Sequence, residues 1–282
     1  MAVKITSDST SDLGDLFAER GIAVTPLTVL LGDRSGRDGT EITPDDIYAY
    51  FAETKTTPKT SAVSPEEYRE FFAAQTADGS EVVHFTISSE MSACYANACS
   101  VAGEFKGVYV VDSRNLSTGI GLLVLYADDL AKAGMSGAEI KEKVEARRGA
   151  VRASFVVDTM TFLYKGGRCS GVTAFIASVL KIKPCILVAD GKMVVGKKYM
   201  GRTDKAIVKY AADITGSCAH PDLKYVFVTH SSASPEVVET VKREVLAAWP
   251  GANIIETVAG ATITSHCGKG TLGVLFFADG DE

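Results

Sequence analysis

A repeated succession runs through the first half of this chain: a short apolar run, a polar turn, then apolar residues at helical spacing. Val3–Thr6, Val82–Ile87 and Val108–Val111 are apolar runs of strand length. Helical spacing follows them over Leu13–Arg20, from Ser88 through Ala102, and over Leu116–Lys132. A strand that is apolar on both faces must be covered on both faces, and crossover helices between parallel strands do this. The first half therefore predicts a parallel α/β sheet. Ile22–Leu31 reads as a further β-rich run, and Gly32–Gly39 as a polar turn.

Helix starts are marked by cap chemistry. Thr43-Pro44-Asp45-Asp46, Ser64-Pro65-Glu66-Glu67, Ser136-Gly137-Ala138-Glu139 and Ser234-Pro235-Glu236 each place a hydroxyl before an acidic first turn. The hydroxyl satisfies an orphan N–H and the acids face the positive dipole end. After about Val157 the texture changes. Lys165-Gly166-Gly167-Arg168 reads as a glycine-rich loop, followed by an apolar helix near Thr173–Leu180. Two strands flank the turn signal Asp190-Gly191, and helices and strands alternate to the end. A chain of 282 residues exceeds one ordinary core. Two domains are expected: a parallel-sheet α/β domain over 1–157 and a mixed α/β domain over 158–282.

Charge and cysteine usage exclude several classes. Net charge is −6 and pI about 5.4, which argues against nucleic acid and anionic lipid as partners. The six cysteines form no C-x-x-C pair, so reduced buried thiols are expected and no metal centre. The N-terminus has no signal-peptide pattern, and runs such as Ile120–Ala127 are far shorter than the ~20 residues that span a bilayer. A cytoplasmic protein without stable membrane insertion is expected.

Ligands of open α/β sheets bind beyond the carboxyl ends of the strands. Three such ends carry polar clusters here: Ser7–Ser11, Ser88-Ser89 with Ser92, and Asp112-Ser113. At the second, free N–H groups and a helix dipole favour an anion, although plain helix capping explains each serine equally well. Thr60 and Ser61 precede the cap Ser64 and are not explained by it. Among the four histidines, His84 sits inside an apolar strand and reads as structural. His220 reads as a loop residue, and His230, after a strand end, is open. His266, in the glycine-rich turn Ser265–Thr271, is the best functional candidate. Phosphate-loop, nucleophile-elbow and zinc-protease motifs are absent from the sequence, and no dinucleotide-binding G-x-G-x-x-G follows the first strand.

Taken together, these segments resemble the DegV family. The resemblance rests on Ser7-Asp8-Ser9-Thr10-Ser11-Asp12-Leu13, Thr60-Ser61 with Ser64-Pro65, Ser88-Ser89-Glu90-Met91-Ser92 with Tyr95, Lys165-Gly166-Gly167-Arg168, and His266 through Gly273. Their order and spacing run over nearly the whole chain. The resemblance implies a long-chain fatty acid buried between two domains. It implies that the carboxylate is presented to a separate ATP-dependent kinase subunit, which makes an acyl phosphate, so this chain is expected to be non-catalytic and to need no cofactor. It implies Thr60, Ser61 and Ser92 at the carboxylate with His266 nearby, Arg168 and Arg202 near the head group or the kinase-facing surface, and the Ser7–Ser11 run as a supporting shell. Ala62-Val63 stand where Gln-Pro is usual, and Ala93-Cys94 where Gly-Thr is usual. The hydroxyls survive, so head-group binding is expected to survive.

A lipid ligand is energetically reasonable. Burying ~15 methylenes at about 0.8 kcal/mol each yields roughly 12 kcal/mol before association costs. Gly119–Ala127 and Val172–Leu180 are candidate tail-tunnel walls, with plain core packing as the competing explanation. Two alternatives use the same cleft: a hydrolase pairing Ser92 with His266 (or a phosphotransferase), and a regulatory module sensing a small anion.

Overall fold

The computed structural model describes residues 2–170 and 182–280. It is an α/β protein with three sheets. The first is parallel, with strands in the order Ala23–Thr25, Val3–Asp8, Glu81–Thr86 and Val108–Asp112. Of its two inner strands, Glu81–Thr86 is buried along almost its full length, as its unbroken apolar character requires. His84 lies in this strand, fully buried, with its Nδ1 2.9 Å from Thr6 Oγ1 and its ring among Tyr68, Phe71 and Phe72. Burial pushes its pKa down to about 3, so the ring is neutral.

The second sheet is mixed and has seven strands. Val151–Val156 lies near its middle, antiparallel to both Thr271–Phe277 and Ile182–Ala189. Val226–Ser231 and Ile254–Val258 extend one side, and Lys192–Met200 and Cys169–Ser170 the other. Val151–Val156 thus joins this sheet just before the expected boundary at 157. Asp190 and Gly191 turn the hairpin between Ile182–Ala189 and Lys192–Met200, both with positive φ.

Helix Thr118–Lys132 lies between the two large sheets, against Val3–Asp8 on one side and Thr271–Phe277 and Val151–Val156 on the other. Its sequence is apolar nearly all round, and it is buried nearly all round along its first ten residues. One continuous core therefore joins Ile5, Val83 and Val111 to Phe155, Phe227 and Leu275 through Ile120, Leu123 and Val124.

The cap chemistry appears in place. Ser64 and Ser136 accept from the N–H of Glu67 and Glu139, whose carboxylates return the bond, and Pro44, Pro65 and Pro235 open their helices. Three local expectations differ. The polar run 32–39 contains a strand, Arg34–Arg37, pairing with Thr28–Leu31, which also pairs with Lys59–Ser61 to form the third sheet. Arg34–Arg37 is exposed at three of its four residues, so backbone pairing makes the strand and no apolar alternation announces it. Lys165-Gly166-Gly167-Arg168 is a helix end: Thr161–Gly166 stops at Gly167, which takes the left-handed cap conformation. The helix after Glu81–Thr86 begins at Cys94, with Ser88–Ser92 forming an irregular turn before it. The expected helix near Thr173–Leu180, and with it the proposed tunnel wall Val172–Leu180, lies outside the described residues.

Candidate functional site

The loops at the carboxyl ends of the parallel strands face the mixed sheet, and between them lies a cavity of about 310 Å³. That is at the lower end of the roughly 300–1,000 Å³ usual for small-molecule sites. Leu27, Ile87, Met91 and Leu116 line it from the parallel-sheet side, and Phe155, Met193 and Leu275 from the mixed sheet. Gly273 belongs to the sheet wall; a Cβ there would fall 2.6 Å from the Ser154 carbonyl. Gly119–Ala127, the other expected tunnel wall, packs in the core rather than on this cavity.

The cavity gathers Thr60, Ser61, Ser92, Arg168 and His266, which are far apart in sequence. Thr60 and Ser61 come from the edge strand Lys59–Ser61, held by register with Thr28–Leu31. Thr60 Oγ1 lies 2.9 Å from His266 Nε2. Among the described residues the Ser61 hydroxyl makes a 3.4 Å bond to the Ala62 carbonyl. Ser92 Oγ accepts from the Cys94 N–H at 3.3 Å and donates to Cys94 Sγ at 3.2 Å, a soft acceptor. The Ser61 and Ser92 hydroxyl protons are therefore held weakly and are available to a stronger acceptor.

His266 sits near the end of helix Ala261–Cys267. Burial, reinforced by the positive charge of Arg168, pushes its pKa down to about 4, so it is neutral near pH 7. Among the described residues its Nδ1 is buried without a partner, and it abuts Gly166, where a Cβ would fall 2.5 Å from that nitrogen. The two glycines of the Gly166-Gly167 pair thus serve different ends: one makes room for the imidazole and the other ends its helix. A proton on Nδ1 would have no acceptor there, which favours the tautomer that carries it on Nε2. Nε2–H then donates to Thr60 Oγ1, and the Thr60 hydroxyl proton is left to point into the cavity. Exposed Arg168 donates to the Gly166 carbonyl at 2.6 Å.

The pairing of His266 with Thr60 also bears on the hydrolase alternative. A serine nucleophile needs a base whose other nitrogen is oriented by a third group. Here Nε2 engages Thr60 rather than Ser92, and Nδ1 meets Gly166.

Arg202 is not brought to the cavity. It is exposed, pairs with Asp204 at 2.8 Å, and borders a separate surface groove with Lys183 and Lys205. The Ser7–Ser11 run stands behind the cavity wall. Ser9 Oγ accepts from the N–H of Leu27, and Asp8 accepts from the N–H of Ile87. Asp112 holds the second cluster by accepting from Ser89 N–H and Oγ. His220 is exposed in the loop after helix Thr203–Gly216.

A second polar wall was not legible in the sequence: Ser117, Thr229, His230, Ser231, Thr262 and Thr271. Thr229 bridges Thr118 at 2.6 Å and Thr257 at 2.9 Å. His230 lies within Val226–Ser231, with Nε2 3.3 Å from Glu256. Alternation along Val226–Ser231 marks Thr229 and Ser231 as sharing a face, and only the sheet packing tells which face meets the cavity. Among the described residues no cluster of His, Cys, Asp and Glu is arranged to hold a metal, all six cysteines are free thiols, and no helix is long and apolar enough to cross a membrane.

Known proteins share this architecture and sequence. A DegV protein of Thermus thermophilus, described as fatty acid binding, superposes with a TM-score of 0.88 at 30% identity, covering 99% of this chain and 100% of that one. The DegV protein of Bacillus subtilis, described as a fatty acid binding protein, gives 0.83 at 25% identity, covering 98% and 99%. A DegV domain-containing protein of Streptomyces coelicolor is 33% identical over 282 aligned residues, 97% of each chain. The family model for DegV, described as an uncharacterised protein family, matches residues 2–279. Order of motifs, sheet topology and near-complete coverage agree, and the chain belongs to the DegV family.

Proposed function

We propose that this chain binds a long-chain fatty acid in the cavity between the parallel and mixed sheets. Thr60, Ser61 and Ser92 hold its carboxylate, and neutral His266 orients the Thr60 hydroxyl. The carrying observation is that a cavity with apolar walls on both sheets is also lined by two hydroxyls, Ser61 and Ser92, whose internal bonds are weak. A buried carboxylate loses several kcal/mol of hydration unless donors replace it, and hydroxyls replace it without adding a full charge. Fatty acid binding by the Thermus thermophilus and Bacillus subtilis proteins supports the choice of ligand.

The finer proposal is that the chain performs no chemistry itself. It presents the carboxylate to a separate ATP-dependent kinase subunit, which transfers a phosphoryl group to form the acyl phosphate. Exposed Arg168 beside the head group, and Arg202 on the neighbouring surface, are the proposed contacts.

Organic extraction of natively purified protein followed by mass spectrometry tests the ligand; a stoichiometric fatty acid is expected. Delipidated protein is expected to gain about 2.7 kcal/mol of stability at fatty acid a hundredfold above the dissociation constant. No lipid and no stabilisation would sink the proposal. The presenting role is tested by adding a purified fatty acid kinase subunit with ATP: acyl phosphate forms only when this chain is present. Labelling of Ser92 by a fluorophosphonate would instead favour a hydrolase.

A further inference from the structure

Helix Ala261–Cys267 places Thr262, Ile263, His266 and Cys267 on the cavity. Its N-cap is Gly260, which has no side chain to offer. Its first N–H groups are satisfied from far away in the chain. Gly260 N–H donates to Asp12 Oδ1 at 2.9 Å, and Ala261 N–H donates to Asp38 Oδ1 at 2.7 Å. A Cβ at position 260 would lie 3.2 Å from each of those oxygens, so glycine is what lets both carboxylates close on one helix end.

The remaining oxygens reach two other walls of the same cavity. Asp12 Oδ2 accepts from Ser117, a lining residue held at a φ of 50°. Asp38 Oδ2 accepts from Ser9, whose own oxygen accepts from the N–H of Leu27, another lining residue. Both aspartates are buried, at 3% and 4% exposure. Their hydrogen-bond donors are N–H and hydroxyl groups rather than basic side chains. Burial raises both pKa values, and neighbouring carboxylates, Asp8 included, raise that of Asp12 further. Buried carboxylates are costly, and the positive end of a helix is one of the few neutral environments that offset the cost.

We propose that Asp12 and Asp38 are positioning residues: a double carboxylate cap that seats helix Ala261–Cys267, and therefore His266, against Thr60, and that on the fatty-acid reading above sets how tightly the ligand carboxylate is held. Neither aspartate lines the cavity, so their effect passes through the residues they hold, of which the helix is the one that carries His266.

Two measurements on the full chain test this. The first needs no ligand. The His266 ring is titrated by NMR, where the wild type is expected to titrate at about 4. In Asp12→Ala and Asp38→Ala it moves back toward its ordinary 6.5 as the buried seat beside Gly166 loosens. Asp12→Asn and Asp38→Asn keep an acceptor oxygen and restore most of the depression. The second is titration with cis-parinaric acid, a fluorescent fatty acid. The alanine variants are expected to bind at least about tenfold more weakly, and the asparagine variants within about threefold of wild type.

Gly260→Ala keeps both carboxylates but presses a Cβ against them, so it is expected to give smaller shifts in the same direction and is read even if the alanine variants fail to fold. Asp128→Asn is the control. It removes an equally buried carboxylate from the Arg20 ion pair, lowers the melting temperature and leaves both readouts in place. An unchanged His266 titration in Gly260→Ala and in folded alanine variants overturns the cap. Equal shifts in Asp128→Asn also overturn it. Wild type that does not bind parinarate, with His266 still shifting in the variants, sinks the fatty-acid reading and leaves the cap standing.

Discussion

The two hydroxyl-rich regions beside the cavity have similar composition and opposite bonding. Around Ser9, Ser117 and Thr118, hydroxyls sit in short bonds of 2.9, 2.5 and 2.6 Å to Asp38, Asp12 and Thr229. Around Ser61 and Ser92 the bonds are 3.2–3.4 Å and the groups are partly or largely exposed. The first region has little left to offer a ligand, because its donors already meet buried acceptors. The second has donors in reserve. A hydroxyl cluster binds a ligand when its own network leaves it unsatisfied, and hydroxyl content alone does not predict that.

The contrast is broken most sharply on the satisfied side. Burial pushes Asp8 up to about 6 from its ordinary 3.8, against the bonds it accepts from Thr10 and Ile87. A carboxyl held above its unfolded value is favoured in its protonated form. Its stabilising contribution is therefore full below about 3.8, is lost as pH rises toward about 6, and is constant above. Asp8→Asn cannot ionise, so the difference in urea-unfolding free energy between wild type and variant is expected to slope by about 3 kcal/mol across that window. Parallel curves would mean that Asp8 titrates normally.

On the ligand side, Gly166→Ala drives a Cβ into His266 Nδ1 and displaces the ring from Thr60. Fatty-acid affinity is expected to fall by about 2 kcal/mol, roughly thirtyfold, with a smaller change in melting temperature. Next comes Ser92→Ala, expected to weaken fatty-acid binding by about 1 kcal/mol, roughly fivefold, and to change unfolding free energy by less than about 0.5 kcal/mol. Full affinity in Ser92→Ala, or a large stability loss, would move Ser92 into the satisfied class. The smallest effect is an expected flatness. Because burial holds His266 down at about 4, its protonation does not alter binding of a ligand between pH 6 and 8. A binding step near 6.5 that disappears in His266→Gln would show a ring with ordinary access to water.

Much of the architecture was legible in the chain itself. Unbroken apolar runs required strands covered on both faces, and the hydroxyl-proline-acid starts located helices at Pro44, Pro65 and Pro235 because capping is local chemistry. The residues now at the cavity, Thr60, Ser61, Ser92, Arg168 and His266, were also named from sequence, through the order and spacing of the motifs that carry the DegV resemblance. What stayed hidden was long-range. Asp38 lies in a stretch that reads as a polar turn, yet it is buried and caps a helix 223 positions away. The second polar wall depends on which face of Val226–Ser231 meets the parallel-sheet loops. The parallel and mixed character of the two large sheets, the helix starts marked by hydroxyl caps and the inventory of hydroxyls were readable along the chain, because apolar patterning and capping follow from neighbouring residues. Which hydroxyls meet buried carboxylates and which remain for a ligand is set by the three-dimensional packing, because hydrogen-bond satisfaction belongs to contacts between distant segments.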